Sequence, residues 1–139
     1  MTECNCEQME FQSVGRRMVV GNFNGGMISS DGGSLLLAEV EAKTGILARL
    51  SEQFIDYRKP DAIEHSLREL VGQRVLGLAL GYEDLNDHDR LRLDPLLAAV
   101  VGKLDPSGQD RLLARDRGKA LASSSTLELG AHALGCRCR

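Results

Sequence analysis

One stretch of the sequence, residues 61–80, restricts the possible folds more than any other. Pro60 lies just before it, where a missing amide hydrogen costs nothing, and Gly81 follows as a helix-ending residue. Burying its six apolar side chains contributes at most ~9–18 kcal/mol, whereas ordering the backbone of about twenty residues costs about 1–2 kcal/mol each. The predicted helix therefore needs packing partners. The apolar residues recur at helical steps of three and four; they are Ile63, Leu67, Leu70, Val71, Val75 and Leu78.

The composition favours a helical protein with an aliphatic core. Of the 139 residues, 42% are hydrophobic but only 4% are aromatic, so Leu and Ala, which are good helix formers, must supply much of the core. The longest apolar runs, such as residues 96–101, are far shorter than the ~20 residues that span a bilayer. The first residues also lack the basic and apolar regions of a signal peptide. We therefore expect one mainly α, multi-helix domain with a short N-terminal β-hairpin, no membrane contact and a cytoplasmic location.

The hairpin is predicted from turn residues between two β-prone runs. Residues 24–26, Asn-Gly-Gly, separate residues 17–23 from residues 27–29, and Asn-Gly between such runs is typical of a tight hairpin turn. Residues 1–11 are polar and lack periodicity, so we expect a flexible arm there.

Capping residues predict where the other helices begin and end. Ser34 and Asp84 are expected to cap helices, Asp94 with Pro95 begins another, and Gly45 ends the first. Residues 123–125, three consecutive serines, are expected to be a loop. The predicted helices besides residues 61–80 are residues 34–43, 46–54, 84–93, 95–102 and 109–121.

Two groups of residues could in principle bind a metal ion. Asp84, Asp87 and His88 would share one helix face and could hold a divalent ion, although helix-capping aspartates account for the same pattern. The second group is two C-x-C pairs, which differ from the usual C-x₂₋₄-C spacing of zinc sites. We assign no metal site to either group. The cysteines are Cys4, Cys6, Cys136 and Cys138.

Four arginines are the candidate nucleic-acid contacts, namely Arg68, Arg74, Arg90 and Arg92. Guanidinium groups beside a helix can bind phosphates, but Arg68 could instead pair with Glu64 and Arg90 with Asp87. The net charge of −3 is divided unevenly, since residues 111–139 carry +4. This basic end could touch phosphate or could be a solvated helix end. His65 is expected to be exposed and to have no catalytic role.

Four blocks of sequence, in order, resemble a known family. They are residues 28–37 (ISSDGGSLLL), residues 64–70 (EHSLREL), residues 75–92 (VLGLALGYEDLNDHDRLR) continuing into Asp94-Pro95-Leu96, and residues 118–124 (GKALASS). Together they resemble the amino-terminal part of a large bacterial family of DDE insertion-sequence transposases. The resemblance spans roughly residues 17–127, which is more specific than any single motif.

The resemblance implies transposition by metal-dependent strand transfer. In such enzymes three carboxylates on a ribonuclease-H-like sheet hold two Mg²⁺ ions, and transposon ends are the DNA partner. The family's catalytic acids lie downstream of every matched block. No residue of this chain is therefore assigned as catalytic, and Mg²⁺ is expected for the full-length family rather than for this chain.

The end of the chain departs from the family pattern. After Thr126 and Leu127 the resemblance fades, as a frameshift or premature stop would cause. We expect a flexible arm (residues 1–16), a transposase helical region (17–127) and a divergent tail (128–139). The predicted function is a truncated transposase region, inactive alone; the alternatives are a DNA-binding or regulatory helical module without enzymatic activity and a helical protein-interaction module. The oligomeric state is not predicted.

Overall fold

The computed structural model describes residues 9–21, 32–132 and 134–136. Within these ranges the chain is mainly helical, with two separate two-stranded antiparallel sheets, which confirms the predicted fold class. None of the helices in these ranges is long and apolar enough to cross a bilayer. The elements are β1 (Met9–Val14), β2 (Arg17–Gly21), α1 (Gly33–Thr44), α2 (Ile46–Ser51), β3 (Phe54–Asp56), α3 (Leu67–Ala79), α4 (His88–Leu91), α5 (Pro95–Val101), α6 (Ser124–His132) and β4 (Leu134–Cys136), with 3₁₀ turns at Pro60–Ala62, Leu85–Asp87 and Ala114–Asp116.

The hairpin lies upstream of the predicted one. Strand β2 falls within the predicted run 17–23, but it pairs with β1, all of which lies in the predicted flexible arm of residues 1–16. Gly15 and Arg16 form the two-residue turn, and Gly15 has a φ of 62°, which suits the glycine-first turns of tight hairpins. The predicted turn at residues 24–26 and the run 27–29 lie outside the described residues.

The boundary between α1 and α2 confirms the predicted glycine stop. Gly45 adopts a φ of 61° and its amide donates to the Glu41 carbonyl. The Glu41 carboxylate accepts the amides of Leu47 and Ala48 at 2.7 and 3.1 Å, so it satisfies the first turn of α2. The prediction for Ser34 is wrong, because α1 begins at Gly33 and Ser34 lies buried inside its first turn. Helix α2 ends three residues before predicted because residues 54–56 pair with β4.

Helix α3 begins six residues later than predicted. Ser66 accepts the Glu69 amide with its hydroxyl, and the Glu69 carboxylate accepts the Ser66 amide at 2.8 Å. This capping box satisfies two amides that would otherwise lack partners and defines the start of the helix. Pro60 begins only a short 3₁₀ turn, and the chain is extended at Ile63, so the predicted continuous helix over 61–80 is wrong in its first third.

The two aspartate caps downstream are confirmed. The Asp84 carboxylate accepts the Asn86 amide at 2.9 Å and begins the turn that leads into α4. The Asp94 carboxylate accepts the amides of Leu96 and Leu97 at 2.7 and 3.0 Å, and α5 ends at Gly102 with a φ of 102°.

Residues 109–121 do not form the predicted helix. The Asp105 carboxylate accepts the amides of Ser107, Gln109 and Asp110, which holds this segment in a turn. Only a 3₁₀ turn follows at Ala114–Asp116. The serines predicted as a loop instead begin α6, because the Ser123 hydroxyl accepts the Thr126 amide at 3.3 Å.

The core lies between α3, α5 and the extended segment around residue 121. Leu97 and Leu121 are almost completely buried, and they pack in one cluster with Leu76, Leu91, Ala98, Val101 and Ala120. Leu70, Ala122 and Leu127 form a second cluster. The buried face of α3 differs from the predicted stripe, since Leu78 is exposed and Gln73 is buried. Helix α3 therefore turns the polar side chain of Gln73 into the core.

Candidate nucleic-acid interface

Gln73 joins the middle of α3 to the extended segment before α6. Its amide nitrogen donates to the Ala122 carbonyl at 2.8 Å and its amide oxygen accepts the Ala122 amide at 2.9 Å. Both residues are 1% exposed, so neither the Gln73 amide nor the Ala122 backbone can bind water. The two hydrogen bonds satisfy these buried groups instead. A side chain here acts as a short strand would, satisfying a buried backbone segment.

His88 is buried against the same helix. The Gln73 amide nitrogen lies 3.1 Å from His88 Nδ1 and donates to it, since its other hydrogen already points to Ala122. The other ring nitrogen, Nε2, lies 3.3 Å from Nη1 of the Arg74 guanidinium. Burial, followed by the charge of Arg74, lowers the pKa of His88 below its ordinary value. The neutral ring packs against Gly77, where a β-carbon would lie 2.8 Å from His88 Cε1.

A second buried polar cluster centres on Arg111. Its guanidinium binds both carboxylate oxygens of Glu64, at 2.7 and 3.0 Å, and donates to His65 Nε2 at 2.7 Å. His65 is 3% exposed, so the expectation of an exposed histidine is wrong. Burial, then the charges of Lys103 and Arg111, lowers the pKa of His65 to about 3. Arg111 takes the Glu64 carboxylate that had been considered for Arg68, and sequence spacing could not indicate this pair 47 residues apart.

The acidic group around residue 84 does not form a metal site in this structure. Asp84 caps a turn, and both ring nitrogens of His88 face side chains of α3 rather than Asp84 or Asp87. In the part of the chain that the structure describes, no group of three or more His, Cys, Asp or Glu side chains could hold a metal ion. Cys4, Cys6 and Cys138 lie outside the described residues, so the zinc alternative is not tested.

Three of the four candidate arginines line different depressions of the surface. Arg68 lies on the cleft between the β1–β2 hairpin and α1, whereas Arg74 lies on an apolar groove between α2, α3 and α6. Arg90 lines a third, separate depression beside Tyr82. The Arg68 side chain is 64% exposed, with Glu41 at 4.0 Å.

The donors of Arg74 are partly occupied within the fold. Its guanidinium donates to the Glu83 carbonyl at 2.8 Å and lies 3.5 Å from the Tyr82 carbonyl. Arg90 is exposed and Arg92 is half-buried. All four candidates are thus at least partly exposed to solvent, and Arg68 and Arg90 line separate depressions.

The structure adds two arginines that the sequence analysis did not single out. Arg16 is exposed at the hairpin turn. Arg17 donates to the carbonyls of Lys103 and Leu104, just beyond the end of α5. The hairpin turn could have been predicted from the sequence, since glycine is favoured at the first position of such turns. The contact of Arg17 could not, because its acceptor lies 86 residues away in the sequence.

The fold and these contacts define a small helical module with buried polar side chains that join distant segments and with arginines spread over its surface. Comparison with protein families assigns the module: the family model described as "Transposase DDE domain group 1" matches residues 11–129. The chain belongs to this family of DDE transposases, which confirms the family predicted from the sequence. No curated protein and no solved structure matches the chain.

Proposed function

We propose that this chain serves DNA transposition as a helical, DNA-contacting region of a DDE transposase, and that its described residues do not themselves perform strand transfer. The family match over residues 11–129 is the observation that carries the assignment to transposition. Mg²⁺-dependent chemistry would then depend on carboxylates outside the residues described. The division of the chain at residues 17 and 127, the cytoplasmic location and the interpretation of the last residues as a divergent tail stay predictions.

The contacts of the acidic side chains support the second part of this proposal, that the described residues do not perform strand transfer. Two-metal strand transfer needs carboxylates that converge on the metal ions. Nine acidic side chains in the described ranges instead serve the fold, as caps, turn acceptors and ion-pair partners, and the Asp84, Asp87 and His88 set does not fit a divalent ion. The residues with such roles are Glu41, Asp56, Glu64, Glu69, Asp84, Asp89, Asp94, Asp105 and Asp116.

Exposed arginines support the first part of the proposal, that the chain contacts DNA. Arginine donors fix the position of a protein on DNA mainly through phosphate contacts, and Arg68, Arg90 and Arg92 remain the candidates for such contacts. Arg74, whose donors bind backbone carbonyls, would act by holding the turn before α4 in place. Because each cation that neutralises a phosphate releases counterions, binding of this kind must weaken with salt.

The test of DNA contact uses labelled duplexes that tile the DNA on both sides of the coding sequence. Fluorescence anisotropy of the purified chain at several salt concentrations should show preference for one tile, and its affinity should fall linearly with salt on logarithmic axes. The double variant Arg90→Gln/Arg92→Gln should bind about tenfold more weakly, since each lost phosphate contact removes part of this affinity. The exposed Lys59 supplies the matched control, Lys59→Gln, which should bind like the wild type.

Two outcomes would contradict the proposal. Equal, weak binding to every tile would remove the DNA-contacting role. Nicking or joining of the preferred tile by the purified chain with added Mg²⁺ would contradict the statement that the described residues do not perform strand transfer.

A further inference from the structure

An apolar groove lies on the surface between α2, α3 and α6. Helices α2 and α6 both pack on α3, so α3 forms the floor of this groove and the other two helices form its walls. The two walls lead directly into β3 and β4, whose pairing joins them. The groove has a volume of about 560 Å³. Most of the side chains that line it are apolar; they include Leu50, Phe54, Val71, Val75, Leu127 and Ala131.

Helix α3 presents an incompletely covered apolar face along this groove. Val71, Val75 and Leu78 follow one another at steps of four and three residues, which places them on one side of the helix. Val71 and Val75 are half-buried, and Leu78 is 46% exposed. They belong to the apolar stripe for which the sequence predicts packing partners, and the described helices leave this part of it open. Open apolar surface of this kind favours contact with another protein surface.

The outer side of α2 has the form of a ridge that fits such a groove in a second copy. Ile46 and Leu50 lie one helical turn apart and are 49% and 37% exposed. Arg49 lies beside them and is exposed. Leu50 also lines the groove, so ridge and groove are neighbours on one surface. A two-fold dimer needs this arrangement, because each copy then presents the same self-complementary patch to the other.

The charges around the groove agree with this occupant. Glu128 lines the groove on the α6 wall and is exposed. Among the residues that the structure describes, neither Glu128 nor Arg49 has an ion-pair partner. Arg74 on the floor is different, because its guanidinium already donates to the Glu83 carbonyl at 2.8 Å. The α6 wall thus offers a carboxylate, and α2 offers the arginine that complements it.

We propose that two copies of this chain associate about a two-fold axis, with α2 of each copy lying in the groove of the other and Arg49 facing Glu128 of the second copy. The inference goes beyond the proposed function and does not depend on DNA contact. The twelve residues that line the groove, together with the outer side of α2, remain below the roughly 20–30 residues per partner of a standard stable interface. The dimer is therefore expected to be weak, with a dissociation constant in the micromolar range.

Sedimentation equilibrium of the purified chain at low salt, from about 5 to about 500 µM, measures this association without DNA. The average mass of the wild type should rise with concentration from that of one chain towards that of two. Arg49→Glu should raise the dissociation constant about tenfold, because it places two carboxylates face to face twice in each dimer. The double variant Arg49→Glu/Glu128→Arg exchanges the charges and should restore the dissociation constant to within about threefold of the wild type.

The matched control is Arg117→Glu, which makes the same charge change at an exposed position outside the groove. It should alter the dissociation constant by less than about twofold. All of these positions are exposed, so the variants should melt like the wild type. If Arg49→Glu lowers the melting temperature, Glu128→Lys makes the same test from the α6 wall.

Two results would overturn the inference and leave the proposed function intact. One is a wild type that remains monomeric at the highest concentration, in which case the groove does not bind a second copy. The other is a dimer that the single charge reversals weaken no more than Arg117→Glu does, or that the charge exchange fails to restore; the copies would then associate through a different surface.

Discussion

Two glycines in α3 provide a matched test of how tightly the helix packs on His88. Gly72 and Gly77 both lie within Leu67–Ala79 and both are buried. A β-carbon added at Gly72 would meet Val101 Cγ1 at 3.8 Å, an ordinary contact, whereas one added at Gly77 would lie 2.8 Å from Cε1 of the buried His88 ring. The substitutions Gly72→Ala and Gly77→Ala therefore add the same methyl group to the same helix in different surroundings.

The magnitudes follow from two opposed effects. Alanine is favoured over glycine in a helix interior by roughly 0.8–1 kcal/mol, so Gly72→Ala should raise the free energy of unfolding by about 1 kcal/mol. Gly77→Ala gains the same amount but forces the His88 ring to move, and overpacking of this kind costs roughly 1–3 kcal/mol. Loss of the ring's hydrogen bond to Gln73 adds about 1 kcal/mol. Gly77→Ala should therefore be about 2–4 kcal/mol less stable than Gly72→Ala.

Urea denaturation followed by circular dichroism measures this difference. With a slope of roughly 1–3 kcal/mol per molar urea, the two midpoints should differ by about 1–2 M. Stabilities of the two variants within about 0.5 kcal/mol of each other would refute the packing argument. The double variant Gly77→Ala/His88→Ala gives a further check, because the cost of the new methyl group should largely disappear once the ring is removed.

Two further predictions concern the buried polar clusters. Gln73→Leu should lower the free energy of unfolding by about 3–5 kcal/mol, because it leaves the buried Ala122 amide and carbonyl without partners. The control, Gln53→Leu at an exposed position, should change it by less than about 0.5 kcal/mol. Urea titration of both variants measures the two differences. Because the folded-state pKa of His65 is about 3, below its ordinary 6.5, only the unfolded chain gains that proton as pH falls below 6.5, so stability is full above 6.5 and declines towards acid. His65→Gln keeps an acceptor for Arg111 without titrating and should reduce the slope of stability between pH 6 and 5 by about 1 kcal/mol per unit; an unchanged slope would mean that His65 is protonated in the native protein.

Local signals predicted helix ends well where one side chain decides the end. Gly45 and Gly102 adopt positive φ at the ends of α1 and α5, and Asp94 caps the start of α5 as expected. These positions depend on conformations and hydrogen bonds that reach only two or three residues along the chain. The start of α3 could also have been predicted, since Ser66 and Glu69 have the spacing of a capping box. The apolar periodicity and Pro60 instead indicate an earlier start.

Prediction failed where a distant segment competes for the same groups. Residues 109–121 have helical composition, yet Arg111 is bound by Glu64 and the following chain is drawn into the core beside Leu121. The exposure of His65 was wrong for the same reason, since the cluster that buries it includes a residue 46 positions away. The sequence identified Arg68, Arg74 and Arg90 as candidate contacts, but it did not indicate that they line three different depressions.

The sequence alone was sufficient for the mainly α class, the aspartate and glycine boundaries and the transposase family, because capping is local and ordered blocks of residues identify a family without coordinates. Only the tertiary structure decided which face of α3 is buried, which buried groups neutralise one another, and which arginines reach solvent. The reason is that burial and polar pairing depend on contacts between segments tens of residues apart, such as Gln73 with Ala122, and nothing in the periodicity of either segment specifies its partner.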